Sequence, residues 1–418
     1  MNKANGVRLA AVVMAVLLGM GSALAEDAKE PVKEPVKEPV KVSLDAPGGG
    51  VSLKYGDSSI NLGVWGQFRW TGDDKEDFDA DSSGSGVGHE DGFSNSFSIP
   101  RIRFYAQGTI FRTWIGYKFE YEVSSTNSDG ASKVKDGYVE VTKVRMAAVR
   151  MGQYKVPFSL QELTSDQRQE FIERAITNTK FAAGRDQGLM LWGATADKRF
   201  GYQAGVFNGG GEGRNQDDQS LLKVVRAWTA PLGEYKLSEG PVDNADTFVL
   251  HVGAAYRTGE PVRGAVTAGQ FEDVNDESAW NVETAVRFWR CFGTAEYFKM
   301  SDEQDDPDPT VRSDGWHVQF GIMVVPKHLE VAGRYALINP DEDAHDADVV
   351  ERRLAVTYYL SGHNVKLQLD GGQVAYGAGY AGVPAIAKRN IVPALGTRLS
   401  TDTAFQDEQY RLQAQIVF

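Results

Sequence analysis

From about residue 60 to the end of the chain, segment after segment places an apolar residue at every second position. In INLGVWGQFRW, Ile60, Leu62, Val64, Phe68 and Trp70 share one face, and Asn61, Trp65, Gln67 and Arg69 share the other. The same alternation sets Ile102, Phe104 and Ala106 against Arg101, Arg103, Tyr105 and Gln107, and sets Tyr410, Leu412, Ala414, Ile416 and Phe418 against Arg411, Gln413 and Gln415. Period two means a strand with one apolar and one polar face. Sixteen such segments can be marked, most of them 9–12 residues long, which is the length a tilted strand needs to cross a bilayer. Their connections alternate between tight (111–112, 326–327, 361–364) and long, and short turns at one end with long loops at the other are what a membrane barrel requires. The segment 231–246, PLGEYKLSEGPVDNAD, is long where a short turn is expected. Either a strand is miscounted there or that turn carries an insertion.

The pattern predicts an all-β chain: a 16-stranded antiparallel transmembrane β-barrel. A soluble sandwich would bury its apolar faces against one another. Here the polar faces carry Arg, Gln, Glu and Asn so regularly that they read as a second solvated surface. A mean hydropathy of -0.36 argues against a bundle of membrane helices but not against a barrel. The chain ends on Phe418, the aromatic-terminated last strand that barrel assembly machinery reads. A net charge of -13 makes nucleic acid an unlikely partner, and one Cys in 418 residues excludes a disulfide framework.

The N-terminal region reads differently. Residues 1–25 have a basic start (Lys3, Arg8), an apolar stretch and an Ala-Leu-Ala site, the pattern of a cleaved secretory signal peptide. Residues 26–50 hold three copies of Glu-Pro-Val-Lys, and proline at every fourth residue makes them an extended periplasmic linker. The barrel is expected over 51–418.

The runs IPRIRFYAQGTIFRTWIGYKFEYE, VKDGYVEV, VRMGQYKVPFSLQELTS and AAGRDQGLMLWG resemble the phosphate-selective porin O and P family, best over 97–200. The resemblance implies a sixteen-stranded outer-membrane porin, commonly a homotrimer, in which a loop folds inward to narrow each pore. In the best-known members arginines lead to a lysine-bearing constriction that binds phosphate. Those positions do not match one by one, so no binding residue is carried over.

Passing anions needs cations held where water is confined, and Arg suits this because its planar fork grips oxyanions and stays charged. The strand phase points Arg69, Arg101, Arg103, Lys118, Arg150, Arg226, Arg287, Arg334, Arg353 and Arg411 to the lumen, as pore-lining candidates. Glu120, Glu122, Asp136, Glu140, Glu283, Glu330 and Asp370 share that face, so pairing across strands is the competing reading. Arg69, Arg101 and Arg103 are expected to be wet and to form one cationic patch, with Glu120 and Glu122 as the groups that would neutralise it. The third long connection, 155–186, supplies constriction candidates Lys155, Arg168, Arg174, Lys180 and Arg185, and 161–177 has helix-like spacing. Three acidic loops (71–81, 301–310, 340–348) sum to about -15 in all, leaving about +2 for the rest of 51–418. The negative total therefore does not exclude an anion-tolerant pore.

No nucleotide, zinc-protease or haem motif is present. Two histidines, His251 and His317, point inward mid-strand, too few for a catalytic cluster. No enzyme activity, cofactor or dedicated metal site is expected. The expected partners are small anions or other small hydrophilic solutes, outer-membrane lipid and lipopolysaccharide, the assembly machinery, and two further copies of the chain. A general or cation-tolerant porin, or a structural barrel, are the alternatives.

Overall fold

A computed structural model describes residues 40–44, 50–75, 92–124, 133–214, 221–242, 248–259, 274–304, 310–384, 391 and 404–418. The expected signal peptide, most of the linker, and about half of the acidic loops 71–81 and 301–310 lie outside these residues. A short strand, β1 (Lys41–Ser43), sits at the division between the chain's two units, and the larger unit holds everything that follows.

β2 (Val51–Tyr55) and β3 (Ser58–Lys75) form a hairpin. From β3 onward each strand pairs antiparallel with the next: β4 (Gly92–Ile110), β5 (Arg112–Glu122), β6 (Lys133–Val141), β7 (Ala148–Lys155), β8 (Arg185–Ala194), β9 (Phe200–Phe207), β10 (Leu222–Thr229), β11 (Val249–Gly259), β12 (Val274–Phe288), β13 (Cys291–Gln304), β14 (Val311–Val325), β15 (Leu329–Asn339), β16 (Val349–Ser361), β17 (Val365–Tyr376) and β18 (Phe405–Val417). β18 returns to β3, from Asp407↔Lys75 to Val417↔Trp65, and the circuit β3–β18 is a closed 16-stranded barrel. Phe418 finishes the seam by exchanging backbone hydrogen bonds with Val64 (2.7 and 2.8 Å). Closure leaves no unpaired edge to face lipid.

The faces follow the sequence period. Val252, Tyr256, Val282, Leu354 and Ile416 are exposed, while their neighbours His251, Arg257, Glu283, Arg353 and Gln415 are buried. Apolar outside and polar inside is the order a lipid-facing wall needs. Four tight turns at one end pass through residues with positive φ, Phe111 (62°), Lys198 (55°), Trp289 (52°) and Lys327 (65°), because left-handed corners match the twist of the strands they join. Pro100, which cannot donate to the ladder, falls where β4 shifts register against β3, between Gln67↔Arg101 and Arg69↔Ser98.

The irregular connection is an insertion, not a lost strand: β10 and β11 pair directly (Lys223↔Thr258 to Thr229↔Val252), with 230–248 between them. The third long connection, 156–184, is not one helix over 161–177. It contains α1 (Leu160–Leu163), a single 3-10 turn (Asp166–Arg168) and α2 (Ile176–Phe181). Wall carboxylates take its backbone N–H groups, which removes the need for a continuous helix. Lys155 and Arg185, expected in this loop, are instead the paired ends of β7 and β8.

Candidate functional site: a loop seated against one wall of the lumen

The loop begins at Ser159, which has φ 74° and accepts a hydrogen bond from Glu162 N–H. Glu296 of β13 accepts from the N–H groups of Leu160 (3.0 Å) and Gln161 (2.7 Å). Asp370 of β17 accepts from Ile172 N–H and Glu351 of β16 from Ile176 N–H, both at 3.2 Å. Thr177 Oγ1 lies 2.7 Å from His317 Nδ1 on β14, Lys366 of β17 donates to the Gln169 carbonyl (2.8 Å), and Gln415 of β18 to the Gln167 carbonyl (3.0 Å). A buried backbone must find partners for its polar groups, and this one finds them on side chains that point into the barrel from β13, β16, β17 and β18. Apolar contacts complete the seat: Phe181 stacks on Phe298 at 5.3 Å, within a buried cluster that includes Phe158, Met300 and Ile338. The loop therefore lies inside the circuit, packed against β11–β18.

That seat divides the lumen. On the packed side the charged side chains are dry and mutually paired. Arg226 bonds Glu283, Arg334 bonds Glu351, Arg353 bonds Glu351 and Asp370, and Arg411 bonds Asp370 (2.7 Å). Arg287 donates to the Ser238 carbonyl (2.9 Å). His251 meets Glu283 at 3.0 Å, a contact within the wall, whereas His317 meets the loop. Along β3–β7 the candidates meet water: Lys118 and Arg150 keep 22% of their side-chain surface and Arg101 16%, against 1% for Arg334.

The wetted cations are also paired. Lys118 bonds Asp136 (2.5 Å) and Glu120 (2.7 Å), Arg150 bonds Glu140 (2.7 Å), and Arg185 bonds Asp136 (2.8 Å). Arg69 and Arg101 converge on one loop carboxylate, Glu173, at 2.5 and 2.7 Å. Burial by itself would raise Glu173; Arg101 and Arg69 outweigh that and hold it below the usual carboxylate range. Arg103 departs from the expected wet patch. It is 5% exposed and closed in by Glu122 (2.6 Å), Asp166 (3.0 Å) and Glu120 (3.2 Å), so two of its counter-ions are the acids marked in the sequence, placed by the Arg103↔Glu122 register. In the loop, Arg174 bonds Asp166 (2.5 Å), Lys155 donates to the carbonyls of Glu162 and Thr164, and Lys180 is buried on α2. Arg168 differs: it is exposed, and no group among the described residues accepts from its guanidinium.

Sequence reasoning missed the organising role of Glu173, Asp166, Glu296 and Glu351. The charged residues of the loop were visible, but which wall residue each would meet depends on three-dimensional register. Glu239 was missed too, although the overlong turn that carries it was the available signal.

A closed barrel with a charged interior, crossed by its third long loop, defines a porin-type outer-membrane channel. The chain belongs to the phosphate-selective porin O and P family, which it matches over residues 68–377. A curated relative, an uncharacterized protein of Aquifex aeolicus (strain VF5), is 26% identical over 268 residues, 56% of this chain, and the match spans 61% of that relative's length. Among solved structures the fold is similar to an anion-selective porin from Comamonas acidovorans (12% identity, TM-score 0.56, 86% of this chain and 100% of that one). It is also similar to OprB of Pseudomonas putida (10%, 0.55, 86% and 94%) and to OmpT, an outer membrane protein of Vibrio cholerae (12%, 0.54, 88% and 99%).

Proposed function

We propose that this channel passes small hydrophilic solutes passively and prefers oxyanions such as phosphate. One observation carries the reading: Lys118 faces water while its acids sit behind it, and Arg168 stands exposed on the loop with no acid among the described residues on its guanidinium. Lys118 is 22% exposed, whereas Glu120 and Asp136 are 8% and 10% exposed. An ion moving through confined water responds most to the charges nearest it, because those further away are screened. Arg168 is the proposed first contact on the loop, with Arg69, Arg101, Lys118 and Arg150 on the wall. Glu173, with 31% of its side chain exposed, occupies the position where two guanidinium forks could instead grip a bound oxyanion.

Export by cleavage of residues 1–25, assembly through the machinery that reads Phe418, assembly as a homotrimer, and contact with lipopolysaccharide belong to the same proposal. A cation-tolerant general porin is the second reading, favoured by the acidic loop 340–348, which holds Asp341, Glu342, Asp343, Asp346 and Asp348. Phosphate titrated into a chloride current separates the two. An oxyanion site predicts saturable block of the parent channel. Arg168→Glu should weaken that block about tenfold, the value of one charge-assisted hydrogen bond. A chloride current unaffected by phosphate would favour the second reading.

A further inference from the structure

The overlong connection between β10 and β11 turns into the barrel from the short-turn end. Ser238, Glu239 and Val242 are 6%, 2% and 9% exposed. Arg287 of β12 donates to the Ser238 carbonyl, and His363, in the turn between β16 and β17, lies 3.2 Å from both Ser238 Oγ and the Glu239 carbonyl. Val242 packs with Met323 of β14 and Tyr359 of β16. A segment tied to β12, β14, β16 and the β16–β17 turn crosses the interior beneath the loop.

Its contact with the loop is specific. Glu239 N–H donates to the Arg168 carbonyl (2.8 Å), and its carboxylate accepts from Glu170 N–H (3.0 Å) and from the Gln161 amide (3.4 Å). One residue thus holds both sides of the corner that carries Arg168.

We propose that residues 230–242 are a second constriction element, an inner strap, and that Glu239 is the positioning residue that fixes the loop's 168–170 corner and so sets the bore. The proposal rests on the channel reading but not on its ion preference, and it concerns geometry rather than the charge of Glu239. Two observations tell position from charge. Glu239→Ala removes both side-chain acceptors, whereas Glu239→Gln keeps an amide oxygen for Glu170 N–H and loses the charge.

The full chain, refolded or extracted and checked for heat-modifiable migration, is recorded as single channels in planar bilayers. Glu239→Ala should raise conductance roughly twofold and add rapid flicker, with Glu239→Gln at the parent value. An Ala variant identical to the parent, or Gln and Ala shifted alike, overturns the proposal. A Glu239→Cys, Gln169→Cys pair in a Cys291→Ser background gives a second reading that does not depend on the Ala variant folding. Oxidised, it should conduct like the parent, and reduction should raise the conductance; no response to reduction counts against the strap. Amide exchange at Glu170 covers a silent barrel. Quicker exchange in Glu239→Ala than in the parent supports the strap even if the channel reading fails, and equal exchange rejects it.

Discussion

Glu173 joins Arg69 and Arg101 in the wetted part of the lumen, and it is the residue whose removal should change permeation most simply. Glu173→Gln leaves two guanidinium groups facing one neutral amide. Anion preference should rise, read as a larger zero-current potential of the chloride-selective sign. The notional counterpart, reversing Arg101 and Arg103 together, is a poorer probe than strand phase alone implies. Arg103 is surrounded by Glu120, Glu122 and Asp166, and a carboxylate there would leave four acids in one buried cluster, which is strongly destabilising. Arg168→Glu tests charge without that penalty, because no carboxylate among the described residues bonds its guanidinium. Glu170 offers a pH test. Burial, and then the nearby Glu330 and Glu239, push its carboxyl well above the usual range, so the folded barrel favours its protonated form. Gly321 makes room for this pair: a Cβ there would stand 2.2 Å from Glu170 Oε1 and 2.9 Å from Glu330 Oε1. Because the folded pKa is raised, the stabilisation is complete below the ordinary carboxylate range and is lost as pH rises through the folded value. The heat-modification midpoint of the parent should therefore fall as pH rises from the ordinary carboxylate range, and Glu170→Gln should flatten that fall. Equal slopes would show that Glu170 does not titrate in this way.

Among the elements, the loop is the part that occupies the lumen. Its seat combines wall carboxylates on backbone N–H groups with an aromatic contact, Phe181 on Phe298. Phe181→Ala should cost about 3 kcal/mol through lost packing and the cavity left behind. Because the strands do not depend on this side chain, the loss should appear as unstable current levels before it appears as unfolding. Unchanged current traces in a folded Phe181→Ala channel would mean that the carboxylate contacts hold the loop alone. The loop was only partly legible in the sequence. Its length and place as the third long connection could be read, and its charged residues counted. Its conformation could not, because 161–177 has apolar spacing that fits a helix while Asp370 and Glu351, nearly two hundred residues away in the chain, draw its N–H groups into irregular turns. The strap was legible only as an anomaly of length.

At the scale of the whole molecule, alternation along each strand was enough to infer the barrel, since a slip of one residue would turn every Leu and Val into the lumen and every Arg into lipid. What alternation cannot encode is which inward charge meets which. Arg103 finds Glu122 through cross-strand register, but it finds Asp166 only because the loop is inside. The last strand closes the wall. Phe418 exchanges both backbone hydrogen bonds with Val64 at the closing seam, and its ring is exposed at the outer surface. Deleting Phe418 should lower the yield of heat-modifiable barrel in the outer membrane while leaving the conductance of the molecules that do insert unchanged; a normal yield would show that the terminal aromatic is dispensable. The central claim is that the water-facing cations Lys118 and Arg168 set the ion preference of this lumen. The zero-current potential of the parent channel in a planar bilayer across a KCl gradient tests it directly. The account predicts a potential of the sign that marks chloride as the more permeant ion, diminished by Arg168→Glu. A cation-selective potential in the parent channel would contradict it.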